Sequence, residues 1–209
     1  MIHKIGVHVD SEVLFLIAIA FIPLGLLMDL VHEFGHALWG IAVGGELAYL
    51  KITYFEIYPN LALTATFVLG HVEVGGLRTT FAQGLFLLGG SVTTNILAWF
   101  LGLFLLRVHI GYRKQVALKT LGLFGILDLP LYVLLPQIGL QHWILLGGNI
   151  PEPLIGARDL GMVDLAFYAV AVLTTLGLLL LYFARFRAYL FKPLERHPTR
   201  ASLQLHVSP

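Results

Sequence analysis

The sequence predicts an all-α, polytopic membrane protein with about four transmembrane helices and a β-hairpin after the first of them. Of the 209 residues, 58% are hydrophobic and only 12% are charged, whereas about 25% of a soluble domain is charged. The charges are clustered, so that long apolar stretches of the length a helix needs to cross a bilayer remain between them. One stretch rich in aromatic and β-branched residues lies between the first two apolar runs and predicts the hairpin.

Composition also excludes several classes of site and partner. The net charge of +1 gives no indication of a nucleic-acid partner. The absence of cysteine excludes disulfides and thiolate ligands, so any metal must be held by histidines and carboxylates. We expect one integral membrane domain over residues 1–190, with the lipid bilayer as its surroundings, and a polar C-terminal tail over residues 191–209. The sequence does not indicate an oligomeric state.

The first predicted helix covers residues 13–43 and ends at the pair Gly44-Gly45. At about 1.5 Å per residue it is longer than the hydrocarbon core, which is about 30 Å thick. We therefore expect a kink or a tilt at Pro23. No small-residue cleavage site follows the run, so it is interpreted as a retained span and not as a signal peptide.

This helix carries the motif His32-Glu33-Phe34-Gly35-His36. Residues four apart share a helix face, so the two imidazoles can reach one metal ion. Glu33 lies beside the first imidazole, where its carboxylate can accept a proton from water. Core histidines without a metal are the alternative, and the glutamate between them inside a bilayer argues against it. Asp29 lies on the same face and is a candidate partner of His32 or a rival ligand.

The hairpin is predicted from residues 46–58 and 61–74, joined by the turn residues Pro59 and Asn60. An open sheet edge cannot face lipid without hydrogen-bond partners. The hairpin should therefore lie at the membrane interface or against the helices. A simple connecting loop is the alternative.

Two further apolar runs each carry a polar residue that is a candidate for the site, Asn95 in the second span and Asp128 in the third. The second span, residues 80–106, contains small residues suited to close helix packing, and Asn95, whose amide should point inward. The third span, residues 120–135, contains Asp128 as its only ionisable group. A buried carboxylate must be neutralised, paired or bound to a cation, so coordination of the same metal is a simple explanation.

The remainder of the chain completes the predicted topology. Residues 136–163 are predicted to be irregular, and a fourth span begins at Asp164 and ends near Phe183. Four spans place both termini on one side, where ten Lys and Arg residues collect against three on the other. The positive-inside rule therefore predicts cytoplasmic termini and a hairpin on the outer side of the cell membrane.

The order of these motifs resembles the site-2 protease family of intramembrane zinc metalloproteases, over about residues 20–135. The resemblance implies a three-helix catalytic core, a zinc cofactor and a transmembrane protein as substrate. It implies that His32, His36 and Asp128 are the metal ligands, that Glu33 is the general base and that Asn95 helps to hold the substrate.

The third motif departs from the family pattern, which has glycine directly after the aspartate. Here the segment is Leu127-Asp128-Leu129-Pro130. Asp29, Asp159 and Asp164 are therefore rival candidates for the third ligand. Five other histidines that lie in loops and tails are expected to have ordinary surface roles: His71, His109, His142, His197 and His206.

The functional prediction is an enzyme, an intramembrane zinc endopeptidase that hydrolyses peptide bonds within or near the transmembrane segments of other membrane proteins. Two alternatives stay open. A catalytically inactive metal-binding protein or pseudoprotease would not need Glu33, and a small transporter would need intramembrane charges spread over several helices.

Overall fold

The computed structural model describes residues 11–144 and 146–190, which form five α-helices and one β-hairpin. In chain order these are α1 (Ser11–Ala42), β1 (Glu46–Tyr58), β2 (Ala62–Gly75), α2 (Thr80–Arg107), α3 (Tyr112–Leu134), α4 (Glu152–Asp159) and α5 (Asp164–Leu190), with a short 3₁₀ turn at Pro136–Ile138. The predicted polar tail, residues 191–209, lies outside the described residues.

Four of the helices are long and apolar enough to cross a membrane. The candidate spans are 29, 28, 27 and 20 residues long and lie in α1, α2, α3 and α5. Their mean hydropathy runs from 1.5 to 2.6, and large apolar side chains such as Ile22, Phe100 and Leu180 are more than half exposed on them. This outward-facing apolar surface fits lipid. The predicted class of multi-pass membrane protein is confirmed at this level, whereas the orientation stays a prediction.

Helix α1 passes through Pro23 as one continuous helix. It ends where the chain reverses at Gly44, whose φ of +88° is a conformation that favours glycine. The amide of Gly45 donates to the carbonyl of Gly40 at 3.0 Å and completes the helix end. The predicted end of the first helix is confirmed.

Helices α1 and α2 approach closely through paired glycines. A Cβ placed on Gly89 would lie 2.9 Å from the carbonyl oxygen of Gly35, and a Cβ on Gly35 would lie 2.5 Å from the carbonyl oxygen of Gly89. Neither position accepts a larger residue without moving the backbones apart. This contact brings the polar face of α1 directly against α2.

The hairpin has the predicted strands and turn, so the alternative of a simple loop is wrong. β1 and β2 pair antiparallel, with register shifts between Ile52 and Phe55. The middle of β1 is buried at Leu50, Lys51 and Ile52. Lys51 donates from Nζ to the carbonyl and hydroxyl oxygens of Thr66, both at 2.7 Å. These bonds hold β2 where the register shifts.

Two predicted boundaries were wrong. Helix α3 begins at Tyr112, eight residues before the predicted start, because hydropathy marks where a helix becomes apolar and not where it begins. Residues 136–163 are not wholly irregular, since they contain α4. Pro151 and Pro153 lie at the N-terminus of α4, where proline is tolerated.

Helix α4 is short and held firmly against α2. A Cβ on Gly156 would lie 2.7 Å from the carbonyl oxygen of Gly84, and the reverse contact would be 2.8 Å. Leu154 and Ala157 are each 1% exposed and join the core formed by α3 and α5. The glycine contact fixes how close α4 comes to α2, and this distance sets the position of the side chains one turn earlier.

Candidate metal centre

The two histidines of the motif lie on the buried face of α1, as predicted. His32 and His36 are 2% and 3% exposed, and Glu33 is 7% exposed. The Nε2 atoms of the two imidazoles lie 3.0 Å apart. Whether the two imidazoles can bind a metal ion depends on which of the four ring nitrogens carry protons.

The carbonyl oxygen of Phe86 on α2 determines the tautomer of His36. It lies 2.6 Å from the Nδ1 atom of His36. A carbonyl oxygen can only accept a hydrogen bond, so Nδ1 carries the proton. In the neutral ring the Nε2 atom of His36 is then left with a free lone pair.

Asp128 of α3 fixes the ring of His32 in the same way. Its Oδ2 atom lies 3.0 Å from the Nδ1 atom of His32 and accepts a hydrogen bond from Thr94 Oγ1 at 2.8 Å. An ionised carboxylate can only accept a hydrogen bond, so the ring nitrogen donates to it and His32 is protonated at Nδ1. In the neutral ring its Nε2 atom then carries a lone pair as well.

When both rings are neutral, two lone pairs face each other at 3.0 Å in a buried site, an arrangement that a cation between them would stabilise. A third donor approaches from α4, where Glu152 Oε2 lies 3.5 Å from His36 Nε2. One ligand atom each from His32, His36 and Glu152 lie within 4.8 Å of one another. Two imidazole nitrogens and one carboxylate oxygen suit zinc and leave its fourth position open. These residues could hold such an ion.

Gly90 of α2 makes room for the two rings. A Cβ on Gly90 would overlap the Nε2 atoms of both His32 and His36. The glycine therefore lets the helix backbone lie directly beside the converging nitrogens.

A cavity of about 150 Å³ lies next to these nitrogens, between β2 and α4. It is lined by residues of α1, α2, β2 and α4: Glu33, His36, Gly70, His71, Val72, Phe86 and Glu152. The side chain of Glu152 is 32% exposed and that of His71 is 50% exposed, so the cavity is reached from outside. Burial raises the pKa of Glu152, and nearby His32 partly opposes this shift.

Glu33 forms one wall of the cavity, and Gly70 of β2 covers it. A Cβ on Gly70 would overlap the carboxylate of Glu33. The strand can therefore lie against the glutamate only because residue 70 has no side chain. The carboxylate is held at the cavity, beside His36, as a general base requires.

The structure brings Asp128 to the site, but on the other edge of His32 from the converging nitrogens. The position expected for a third ligand is filled by Glu152. Asp128 lies where carboxylates that orient a metal-bound histidine commonly lie. The ligand role predicted for Asp128 stays a prediction, and the geometry favours Glu152.

The other candidates do not reach the converging nitrogens. The carbonyl oxygen of the Asn95 side chain accepts a hydrogen bond from Thr174 of α5 at 3.0 Å, and Asn95 does not line the cavity. Asp164 forms an exposed ion pair with Arg158 at 2.7 Å. Asp29 is buried beside the motif, and its Oδ2 atom has no hydrogen-bond partner among the described residues.

Sequence reasoning missed Glu152. It is the only acidic residue between Asp128 and Asp159, and proline precedes it. A proline at the start of a segment is a signal for a helix N-terminus, so α4 could have been found. The contact of α4 with α1 could not have been predicted from the sequence, because it depends on how α4 packs against α2.

Comparison with known proteins gives no further assignment. No family model matches the chain, and no significant match was found among curated proteins or among solved structures.

Proposed function

We propose that the chain is an intramembrane zinc endopeptidase that hydrolyses peptide bonds within or near the transmembrane segments of other membrane proteins. One observation carries the proposal: the Nε2 atoms of two buried imidazoles converge to 3.0 Å, beside a glutamate that lines an open cavity. A site that only stored a metal would not need that glutamate.

In this proposal His32, His36 and Glu152 hold the zinc ion. A zinc ion at such a site makes water nucleophilic near neutral pH and polarises a carbonyl group. Asp128 and the carbonyl of Phe86 keep the two rings in the tautomer that leaves Nε2 free.

Glu33 is the proposed general base. Its carboxylate accepts a proton from the water that attacks the peptide carbonyl and then donates this proton to the leaving amine. Gly70 and the buried face of α1 restrict the carboxylate to the wall of the cavity. The substrate carbonyl would therefore bind in the cavity, between Glu33 and His36.

The location of the cavity suggests where substrates are cut. Glu33 and His36 lie nine and six residues before the end of α1, which is about 9 to 14 Å along the helix axis. The cavity opens between β2 and α4, both on the side where α1 ends. We expect cleavage near that face of the membrane and not at its middle.

A helical peptide hides its carbonyls in its own hydrogen bonds, so the substrate must become extended before it is cut. β2 lines the cavity at Gly70, His71 and Val72. An extended substrate could pair with this strand by β-addition.

The order of the motifs supports membership of the site-2 protease family, because the motif helix, the hairpin, the small-residue helix and the aspartate helix follow one another in the order that family has. The proposed ligand set differs from that family at one position, since Glu152 takes the place expected for Asp128.

The proposal is tested by measuring zinc content and the cleavage of a single-span membrane substrate by purified protein in liposomes. We expect about one zinc per chain in the wild type and in Glu33→Gln, with cleavage by the wild type alone. His109→Gln, at an exposed residue far along the chain from the motif, serves as the control and should cleave normally. Equal cleavage by wild type and Glu33→Gln would exclude the proposed mechanism. Zinc without cleavage in the wild type would indicate a pseudoprotease.

The proposed orientation is tested separately. The chain contains no cysteine, so Thr64→Cys on β2 introduces its only thiol. With cytoplasmic termini, this thiol should react with a membrane-impermeant reagent added outside intact cells. Labelling that occurs only after the cells are opened would show that the hairpin lies on the cytoplasmic side, opposite to the proposed orientation.

A further inference from the structure

His142 lies in the loop between α3 and α4 and is only 3% exposed. The surface role predicted for it from the sequence was therefore wrong. Burial lowers its pKa, and a neutral buried imidazole needs a hydrogen-bond partner for its one N–H group.

That partner connects His142 to Glu152. The Nε2 atom of His142 donates to the carbonyl oxygen of Ile150 at 2.7 Å. The same oxygen accepts the backbone amide of Glu152 at 2.8 Å. His142 therefore holds the backbone at the residue where α4 begins, directly before the proposed ligand.

A second contact connects His142 to His32. The imidazole of His142 stacks on the ring of Tyr132, with the ring centroids 3.7 Å apart and the planes at 30°. The ring of Tyr132 lies 4.4 Å from the ring of His32. The three rings form a continuous stack that ends at a proposed metal ligand.

The loop is shaped to hold His142 in this position. The amide of His142 donates to the carbonyl of Gly148 at 2.9 Å, and the chain turns back through Gly147, whose φ is +86°. The ring of the next residue, Trp143, packs against Phe124 of α3 at 5.7 Å. Both contacts fix the imidazole without any contribution from a metal.

We infer that His142 is a positioning residue of the metal centre. It keeps Glu152 on α4 and His32 on α1 in the relative positions that allow both to bind one ion. It acts through the carbonyl of Ile150 on one side and through the ring of Tyr132 on the other. The inference rests on the metal site of the proposed function, and it is independent of whether the site cleaves peptides.

The test measures zinc affinity of the full-length protein in detergent, by competition with a chelator. His142→Phe keeps a ring that can stack on Tyr132 but removes the N–H donor. His142→Gln keeps an amide donor for the carbonyl of Ile150. Loss of a group that supports metal ligands typically lowers metal affinity about 10- to 100-fold. We expect a loss of that size in His142→Phe and affinity within about threefold of the wild type in His142→Gln.

A double-mutant cycle separates positioning from a general loss of structure. If His142 acts through Glu152, adding His142→Phe to Glu152→Gln should cost little further affinity. Cobalt substitution provides a spectroscopic readout, because loss of the carboxylate changes the absorption of the bound ion, and His142→Phe should resemble Glu152→Gln. His109→Phe, at an exposed position, is the matched control and should bind as the wild type does.

Wild-type affinity in His142→Phe would overturn the inference, as would a loss that adds in full to that of Glu152→Gln. Failure of the proposed function looks different, because a wild type that binds zinc but cleaves nothing leaves these affinities unchanged. A wild type that binds no zinc overturns both.

Discussion

The Oδ2 atom of Asp128 lies 3.0 Å from the Nδ1 atom of His32, on the opposite edge of the ring from the nitrogen that faces His36. A carboxylate in this position orients the histidine and raises its basicity as a ligand. It is held there by the hydroxyl of Thr94. In the proposed metal site the two carboxylates therefore have different roles: Asp128 would orient the ligand His32, whereas Glu152 would itself be a ligand.

Asp128 and Glu152 should therefore behave differently when each is replaced by its amide. Asp128→Asn should lower zinc affinity about 10- to 100-fold without changing the number of protein ligands. Glu152→Gln should remove one ligand. X-ray absorption of the zinc-loaded proteins counts the ligands, and chelator competition gives the affinities.

The opposite result would restore the ligand role expected for Asp128 from the sequence. Specifically, the ligand count would fall in Asp128→Asn and stay unchanged in Glu152→Gln. Asp164→Asn is the control, because its carboxylate is exposed and paired with Arg158, and it should leave both measurements unchanged.

One helix supports most of the site. Along α2, Gly84 packs against α4, and Gly90 leaves space for both imidazoles. On the same helix the carbonyl of Phe86 accepts a hydrogen bond from His36, and the hydroxyl of Thr94 donates one to Asp128. The small residues of this helix thus allow the close packing that the sequence predicts, and the same close backbone approach sets the geometry of the proposed ligands.

Gly90→Ala should disrupt the two histidines. The added methyl group overlaps both Nε2 atoms, and overpacking of this kind typically costs about 1 to 3 kcal/mol. If the rings move to relieve the overlap, zinc affinity should fall about 10-fold or more. Gly111→Ala is the matched control, since a Cβ there meets nothing within 4 Å and its φ is −57°. Equal zinc affinity in the two variants would contradict the geometry described for Gly90.

Gly70→Ala should separate catalysis from metal binding. Its methyl group overlaps the carboxylate of Glu33 and not the imidazole nitrogens. A displaced general base costs about 10²- to 10⁴-fold in rate, so kcat should fall within that range while zinc content stays near that of the wild type.

The control for Gly70→Ala lies on the same strand. Gly75→Ala places its methyl group 3.9 Å from the nearest atom, the carbonyl oxygen of Glu46, and should cleave normally. If Gly70→Ala and Gly75→Ala have the same kcat, Glu33 at the cavity wall is not the general base.

The sequence was sufficient for the parts of the molecule that local pattern determines. The four apolar runs, the hairpin and the His32–His36 spacing each depend on residues close together in the chain, and the structure has them. The sequence did not reveal the contact of Glu152 with His36 or the burial of His142, because these depend on the approach of Gly156 to Gly84 and on a loop that folds back onto α3. Asn95 was expected to help hold the substrate; its side-chain oxygen accepts a hydrogen bond from Thr174, and the substrate role stays a prediction.

His142 should make the zinc-free protein less stable in mild acid. Burial lowers its pKa below the ordinary value of 6.5, so the unfolded chain binds more protons than the folded one below about pH 6.5. Its contribution is therefore fully present above that pH and is lost as the pH falls toward the lowered pKa. In chelator, the melting temperature of the wild type should fall more between about pH 7.5 and 5.5 than that of His142→Gln. Equal falls would show that His142 is protonated in the folded state as readily as in the unfolded chain.

Two substitutions on α4 should separate its packing from its surface charge. Gly156→Ala places a methyl group 2.7 Å from the carbonyl oxygen of Gly84, which forces α4 away from α2 and carries Glu152 away from His36. We expect a loss of stability of about 1 to 3 kcal/mol together with weaker zinc binding. Arg158→Ala removes an ion pair whose side chains are 53% and 44% exposed, and such exposed pairs contribute little to stability. Arg158→Ala should therefore bind zinc normally. Zinc binding by Gly156→Ala that equals that of Arg158→Ala would show that the contact between α2 and α4 does not set the position of Glu152.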